Sequence, residues 1–173
     1  QVQAVVLAMR QIRKVNPNAR LVQTDDLGKT YYTRPLRYQA EFENARRWVT
    51  WDLLTGTLRP DSPIWRYLVK AGIDSDRLHW FLDNPCSPDV IGVNHYISSE
   101  RFLDHRIDHY ESKHIGGNGK HRYADVLTAR VRKEGCDGFE GLLSETWERF
   151  HLPVAVTECH MGCSREEQMR WLV

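Results

Sequence analysis

The chain has no long apolar run: its longest strongly apolar stretch, Ala4 to Met9, falls far short of the ~20 residues that a membrane-spanning helix needs. It also lacks a surplus of either charge. Lys and Arg total 24 against 23 Asp and Glu, a formal net charge of +1, so there is no electrostatic footprint for a phosphate backbone and nucleic acid is not an expected partner. Cysteine is sparse: Cys86, Cys136, Cys159 and Cys163 are spread out and do not form a compact disulfide framework. This favours a reducing, cytoplasmic setting. Cys159, His160 and Cys163 lack the second ligand pair of a zinc site, so no metal is expected. The start Gln1-Val2-Gln3 has no basic residue of the kind that opens a signal peptide. Low-complexity tracts are missing too, while 41% hydrophobic residues, six Trp and seven Tyr provide the material of a packed core.

Val2, Val5, Val6, Met9 and Ile12 recur at helical spacing until Asn16-Pro17-Asn18, and residues 20–24 then read as a short strand, followed by a loop at 25–28. The apolar positions Phe42, Ala45, Trp48, Val49, Leu53 and Leu54 predict one amphipathic helix over 37–54. Shorter helices are predicted over 64–71 and 75–82, the second capped by Asp74 or Ser75. Residues 89–96, Asp-Val-Ile-Gly-Val-Asn-His-Tyr, form an almost continuous apolar run that suits a strand buried in a parallel sheet. The polar stretch 98–123, with Gly116-Gly-Asn-Gly at its centre, reads as a long loop, and helices are expected over 124–133 and 139–150. Pro153-Val-Ala-Val-Thr-Glu158 reads as a third buried strand, and Ser164-Arg-Glu-Glu167 is a capping box. Strands and helices thus alternate with crossovers long enough for parallel pairing, which makes the class α/β, with residues 1–173 forming one domain. The expected order is 20–24, 89–94, 154–157, all parallel, with helices on one face. Both ends fall within helices, as in a piece cut from a larger repeating α/β unit.

Two strands end in polar residues, Asn94 and Tyr96 on one and Glu158 on the other. Placing a carboxylate at an apolar strand terminus costs desolvation unless donors or a cation receive it. Glu158 is therefore either a site residue or a group that caps the next helix or pairs with an arginine. Asn94 and Tyr96 are either site residues or buried polar groups satisfied by backbone. Asp25 and Asp26 end the first strand. Neighbours on a strand face opposite ways, so one of them at most would share a face with that site, and a turn or capping role is open for both. By the same alternation His95 faces away from Asn94 and Tyr96 and reads as structural. The segment 116–121 lacks the spacing of a phosphate-binding loop.

The segment 89–96 is similar to the sixth-strand motif of glycoside hydrolase family 1, in which an Asn and a Tyr two residues later line the sugar site. Leu152-Pro-Val-Ala-Val-Thr-Glu158 resembles that family's seventh-strand motif, whose glutamate is the nucleophile. The likeness is closest to a divergent branch, often fused to a dTDP-4-dehydrorhamnose reductase-like domain, which Leu21-Val-Gln-Thr-Asp-Asp-Leu-Gly28 and Arg46-Arg47-Trp48 also resemble. It implies a partial (β/α)₈ TIM barrel covering roughly strands five to seven. The missing strands, including the one with the acid/base glutamate, would lie upstream and downstream. It further implies a retaining β-glycosidase working without a cofactor on a small glycoside. Glu158 would be the nucleophile, Tyr96 its hydrogen-bond donor, and Asn94 with Asp25 or Asp26 substrate-binding residues. Cys159-His160-Met161-Gly162 stands where the family usually has Asn-Gly. Two other functions stay in view: a sugar-binding or regulatory barrel attached to a sugar-nucleotide reductase, and an unrelated enzyme with Cys159 or Cys163 as nucleophile beside His160.

Overall fold

The structure is a computed structural model and describes residues 1–172. Helix α1 (Val2–Val15) leads into strand β1 (Val22–Asp26). A glycine-containing bend then gives β2 (Thr30–Tyr32), and helices α2 (Arg37–Arg46), α3 (Val49–Thr55), α4 (Pro63–Lys70) and α5 (Ser75–Asp83) follow. Strand β3 (Val90–Tyr96) begins the second half. After it come β4 (Arg101–Asp104), β5 (Ile115–Gly117), β6 (Arg122–Leu127), the single-turn α6 (Thr128–Val131), α7 (Gly138–Phe150), β7 (Val154–His160) and α8 (Arg165–Leu172).

Strands β1, β3 and β7 form one open sheet in that order, and both pairings are parallel. The order and direction agree with the sequence expectation. Among the described residues the sheet has three strands, which makes the protein a mixed α/β structure. The β1–β3 register is pinned beside the sheet by Asp89, whose Oδ2 accepts from the Leu21 amide at 2.6 Å and from Arg13 at 3.1 Å. Ile91 and Val93 point to one face, where they are buried with Leu27, Trp48, Trp51 and Leu142 from α3, α7 and the adjoining segments. Each fully buried aliphatic side chain of this kind stabilises the fold by about 1.5–3 kcal/mol. A second cluster, with Val6, Met9, Leu54, Ile64, Trp65 and Leu78, joins α1, α3, α4 and α5.

Three local expectations are corrected. The 37–54 helix is broken: at Arg47 and Trp48 the backbone relaxes to ψ −18° and −6°. The break lets Trp48 and Trp51 enter the core under the sheet, while Phe42 and Ala45 pack on the α1–α5 cluster and Ala40 joins a third. One straight helix has no single face that serves all three. The 98–123 loop and the start of the 124–133 helix are instead part of a four-stranded sheet ordered β2-β4-β6-β5, parallel only at β2–β4. In β6, Ala124 and Val126 are buried and Asp125 is exposed, the period of a strand. The glycine-rich segment is a hairpin turn, not a loose loop: Asn118 Oδ1 accepts from the Lys120 and His121 amides, and its Nδ2 donates to Tyr38 and Gln39. The 164–167 capping box forms as its spacing predicts, with reciprocal bonds between Ser164 and Glu167.

Candidate active site

The face of the parallel sheet away from the helices is polar at its C-terminal end. Asp26 is the in-register neighbour of Asn94, so the two share this face. From Ile91 to Val93 the β3–β7 register runs evenly against Val154 to Val156, but Asn94 is paired with Glu158, so Thr157 is an extra residue in a β-bulge. A bulge breaks the two-residue alternation. Thr157 and Glu158 consequently both reach Asn94: Thr157 Oγ1 donates to Asn94 Oδ1 at 2.7 Å, and Asn94 Nδ2 donates to Glu158 Oε1 at 3.1 Å. The Thr157 bond fixes which end of the amide faces the carboxylate.

Tyr96 completes the grip by donating its hydroxyl to Glu158 Oε2. That bond, with the neighbouring Asp26 charge adding to it, holds the Tyr96 phenol above its ordinary value because the neutral hydroxyl is the donor. Both oxygens of Glu158 thus accept a hydrogen bond, while the residue itself remains exposed on the open face. A charge in this position is oriented without being sealed from a ligand.

Behind Tyr96 the chain turns sharply. The Ser99 amide donates to the Tyr96 carbonyl at 2.9 Å, and the Ser99 hydroxyl accepts from the Tyr96 amide at 3.0 Å and donates to Asp26 Oδ2 at 2.8 Å. This turn is pressed against Gly28, where a Cβ would lie 1.9 Å from the Ser99 carbonyl oxygen; only glycine fits.

Of the residues singled out in the sequence, Glu158, Tyr96, Asn94 and Asp26 are therefore brought together. Asp25 is not. It points to the helical side, accepting the Thr50 hydroxyl at 2.5 Å and the Asp26 amide at 2.9 Å. His95 is buried, with its Nδ1 2.8 Å from the Leu27 carbonyl and its ring against Phe139. Thr157, Ser99 and Glu100 were not singled out. A serine pair after a strand is a turn signal that could have found Ser99, but nothing in Val154-Ala-Val-Thr announces a bulge.

Burial pushes the Cys159 and Cys163 thiols up, the reverse of what an activated nucleophile needs. His160 is turned to its own loop, where Nδ1 accepts from the Gly162 amide at 3.0 Å. No group of three or more His, Cys, Asp or Glu side chains with the geometry of a metal site occurs among the described residues, and no helix among them is long and apolar enough to cross a membrane.

No family model matches the chain, and no curated protein matches it. The functional reading therefore stands on the site geometry and on the motif likeness of β3 and β7.

Proposed function

We propose that this chain is part of a (β/α)₈-barrel retaining β-glycosidase in which Glu158 is the nucleophile. One observation carries the reading: Glu158, at the C-terminal end of a parallel strand, has each carboxylate oxygen engaged by a donor from the adjacent strand. Catalytic groups of (β/α)₈ enzymes sit at that end of their strands, and a carboxylate that must attack along one line is served by donors that fix its orientation.

In this reading a Glu158 oxygen forms a bond to the anomeric carbon as the glycosidic C–O bond breaks. The leaving oxygen takes a proton from a second carboxylic acid about 5–5.5 Å away. That carboxylate then removes a proton from water, which attacks the same carbon and releases Glu158 and the sugar. The family likeness assigns the second carboxylate to a barrel strand outside this chain. Tyr96 keeps Glu158 aligned, Asn94 offers its amide to a hydroxyl beside the reacting carbon, and Asp26 accepts from a further hydroxyl.

The test uses the full-length protein. Glu158→Gln keeps the shape and removes the anionic nucleophile, so turnover of an aryl β-glycoside should fall by several orders of magnitude while sugar binding persists. An activated 2-fluoro-glycoside should leave a glycosyl ester that peptide mapping finds on Glu158. Sugar binding by a wild-type protein that neither turns over nor labels would replace this reading with a non-catalytic sugar-binding barrel.

A further inference from the structure

Glu100 is the most anomalous side chain outside the site. It is 2% exposed, and its carboxylate oxygens make no hydrogen bond of good geometry although Tyr31, Cys136 and the Gly138 amide stand close to them. Leaving a buried polar group unmade normally costs about 1–3 kcal/mol, and more for a charge. Such a group in a native fold calls for a reason.

Its surroundings come from every element at the junction of the two sheets. Tyr31 of β2, His95 of β3, Cys136 and Asp137 before α7, and the Gly138 amide at the start of α7 all lie within electrostatic reach. The Thr128 amide of α6 donates to the Glu100 carbonyl at 3.1 Å, and the Thr128 hydroxyl is likewise buried without a partner. Burial is the largest influence on the carboxyl and raises it; Tyr31, His95 and the Gly138 amide pull the other way, and Asp137 adds to the rise.

The residue before it is Ser99, which bonds Tyr96 and Asp26. One residue after it, the Arg101 amide donates to the Lys29 carbonyl at 3.0 Å. The 96–99 turn is thus flanked on one side by the Gly28 backbone and on the other by a side chain drawn into the interior. We propose that Glu100 is a positioning residue for the site: its carboxyl, seated at the start of α7 between Tyr31 and His95, anchors the turn that aims Tyr96 at Glu158 and Ser99 at Asp26. This rests on the reading of Glu158 as the working carboxylate, but it concerns the Tyr96–Glu158 contact, which can be followed without any hydrolysis.

The readout is the phenol titration of Tyr96 in full-length protein carrying ¹³C-labelled tyrosine, the signal being assigned by its loss in Tyr96→Phe. In the wild type it should titrate above the ordinary tyrosine value of 10.0. Glu100→Leu fills the same space without polar atoms, an exchange that buried, poorly paired charges commonly tolerate; it should return the Tyr96 titration toward 10.0. Glu100→Gln, with the shape and one donor-acceptor pair restored, should bring back the raised value. An unchanged Tyr96 titration in Glu100→Leu overturns the proposal. If Glu158→Gln in an otherwise wild-type protein leaves Tyr96 unmoved, the contact itself is absent, and the functional reading fails first, taking the positioning role with it.

Discussion

Asn94 stands directly across from Glu158 because Thr157 is passed over in the β3–β7 register. Without that extra residue Asn94 would pair with Thr157, and a shift of one residue moves a strand's side chains to the opposite face. The helical face would then receive Glu158 among Ile91, Val93 and Leu142, all fully buried. The bulge is therefore what makes a polar strand end compatible with an apolar strand body.

Tyr96→Phe removes one of the two donors to Glu158 and leaves the ring in place. A hydrogen bond to a charged group is worth about 1.5–3 kcal/mol, so turnover in the full-length enzyme should drop roughly 10- to 100-fold with little change in KM. Equal losses in kcat/KM and kcat would support a contact used in the transition state; a pure KM effect would argue for binding alone.

Gly92 lies under the site, where a Cβ would come within 2.6 Å of Thr24 Cγ2 and 2.9 Å of Thr157 Oγ1. Gly92→Ala should push Thr157 off Asn94 and destabilise the protein by about 1–3 kcal/mol, as overpacking does. Thr157→Val removes the same hydroxyl without crowding and should cost about 1 kcal/mol or less. Urea midpoints of the two variants decide this; a Gly92→Ala protein as stable as Thr157→Val would mean that the sheet yields at no cost.

Much of the sheet carrying the site was legible because its strands are apolar, β-branched and ended by turn residues. Val90-Ile-Gly-Val reads as a buried segment and its last three residues are buried, whereas Val154-Ala-Val-Thr reads the same way but lies at the edge of the sheet, where its residues are half-buried or exposed. The second sheet was not. Strand β2 has three residues and meets β4 about seventy residues later, so its pairing is set by tertiary contacts that no local window contains. Glu100 was equally hidden: among Ser98, Ser99 and Arg101 a glutamate reads as surface, and only the fold turns it inward.

Asp52 and Arg149 tie α3 to α7 beneath the sheet. Arg149 donates to both Asp52 oxygens, at 2.8 and 2.9 Å, and the carboxylate is buried whereas the guanidinium is partly exposed. Removing one partner from a fully buried pair costs about 3–5 kcal/mol. With one end in solvent, Arg149→Leu should cost less, about 2–3 kcal/mol by chemical denaturation. Asp52→Asn strands no buried charge and keeps the arginine's packing over Trp48 and Phe150, so it should cost less than Arg149→Leu; the opposite ranking would show that a stranded Asp52 carboxylate is not the main cost of breaking the pair.

Two carboxyls should make stability depend on pH in opposite senses. Glu145 is also affected first by burial, which raises it, but its bonds to Lys29 and Arg47 outweigh this and hold it below the ordinary carboxylate range. Its contribution is present above the unfolded value of 4.5 and is lost as pH falls through the lower folded value. Glu100 has the opposite sign. Its folded value lies above 4.5, so between that pH and the folded value the native state holds a proton that the unfolded state has released. The stability associated with that proton is complete below the unfolded value and is lost as pH rises through the folded one. Glu100→Gln cannot ionise, so its stability should gain on the wild type as pH rises through that window and keep a constant advantage above it. Glu145→Gln should instead lose part of the wild type's acid dependence, the rest staying with Asp104 and Asp137, which are also held below their ordinary values. Urea denaturation of the three proteins from about pH 2 to pH 8 tests both signs at once: parallel curves for Glu100→Gln and wild type would mean that Glu100 carries the same charge folded and unfolded, and that the junction of the two sheets does not hold a proton.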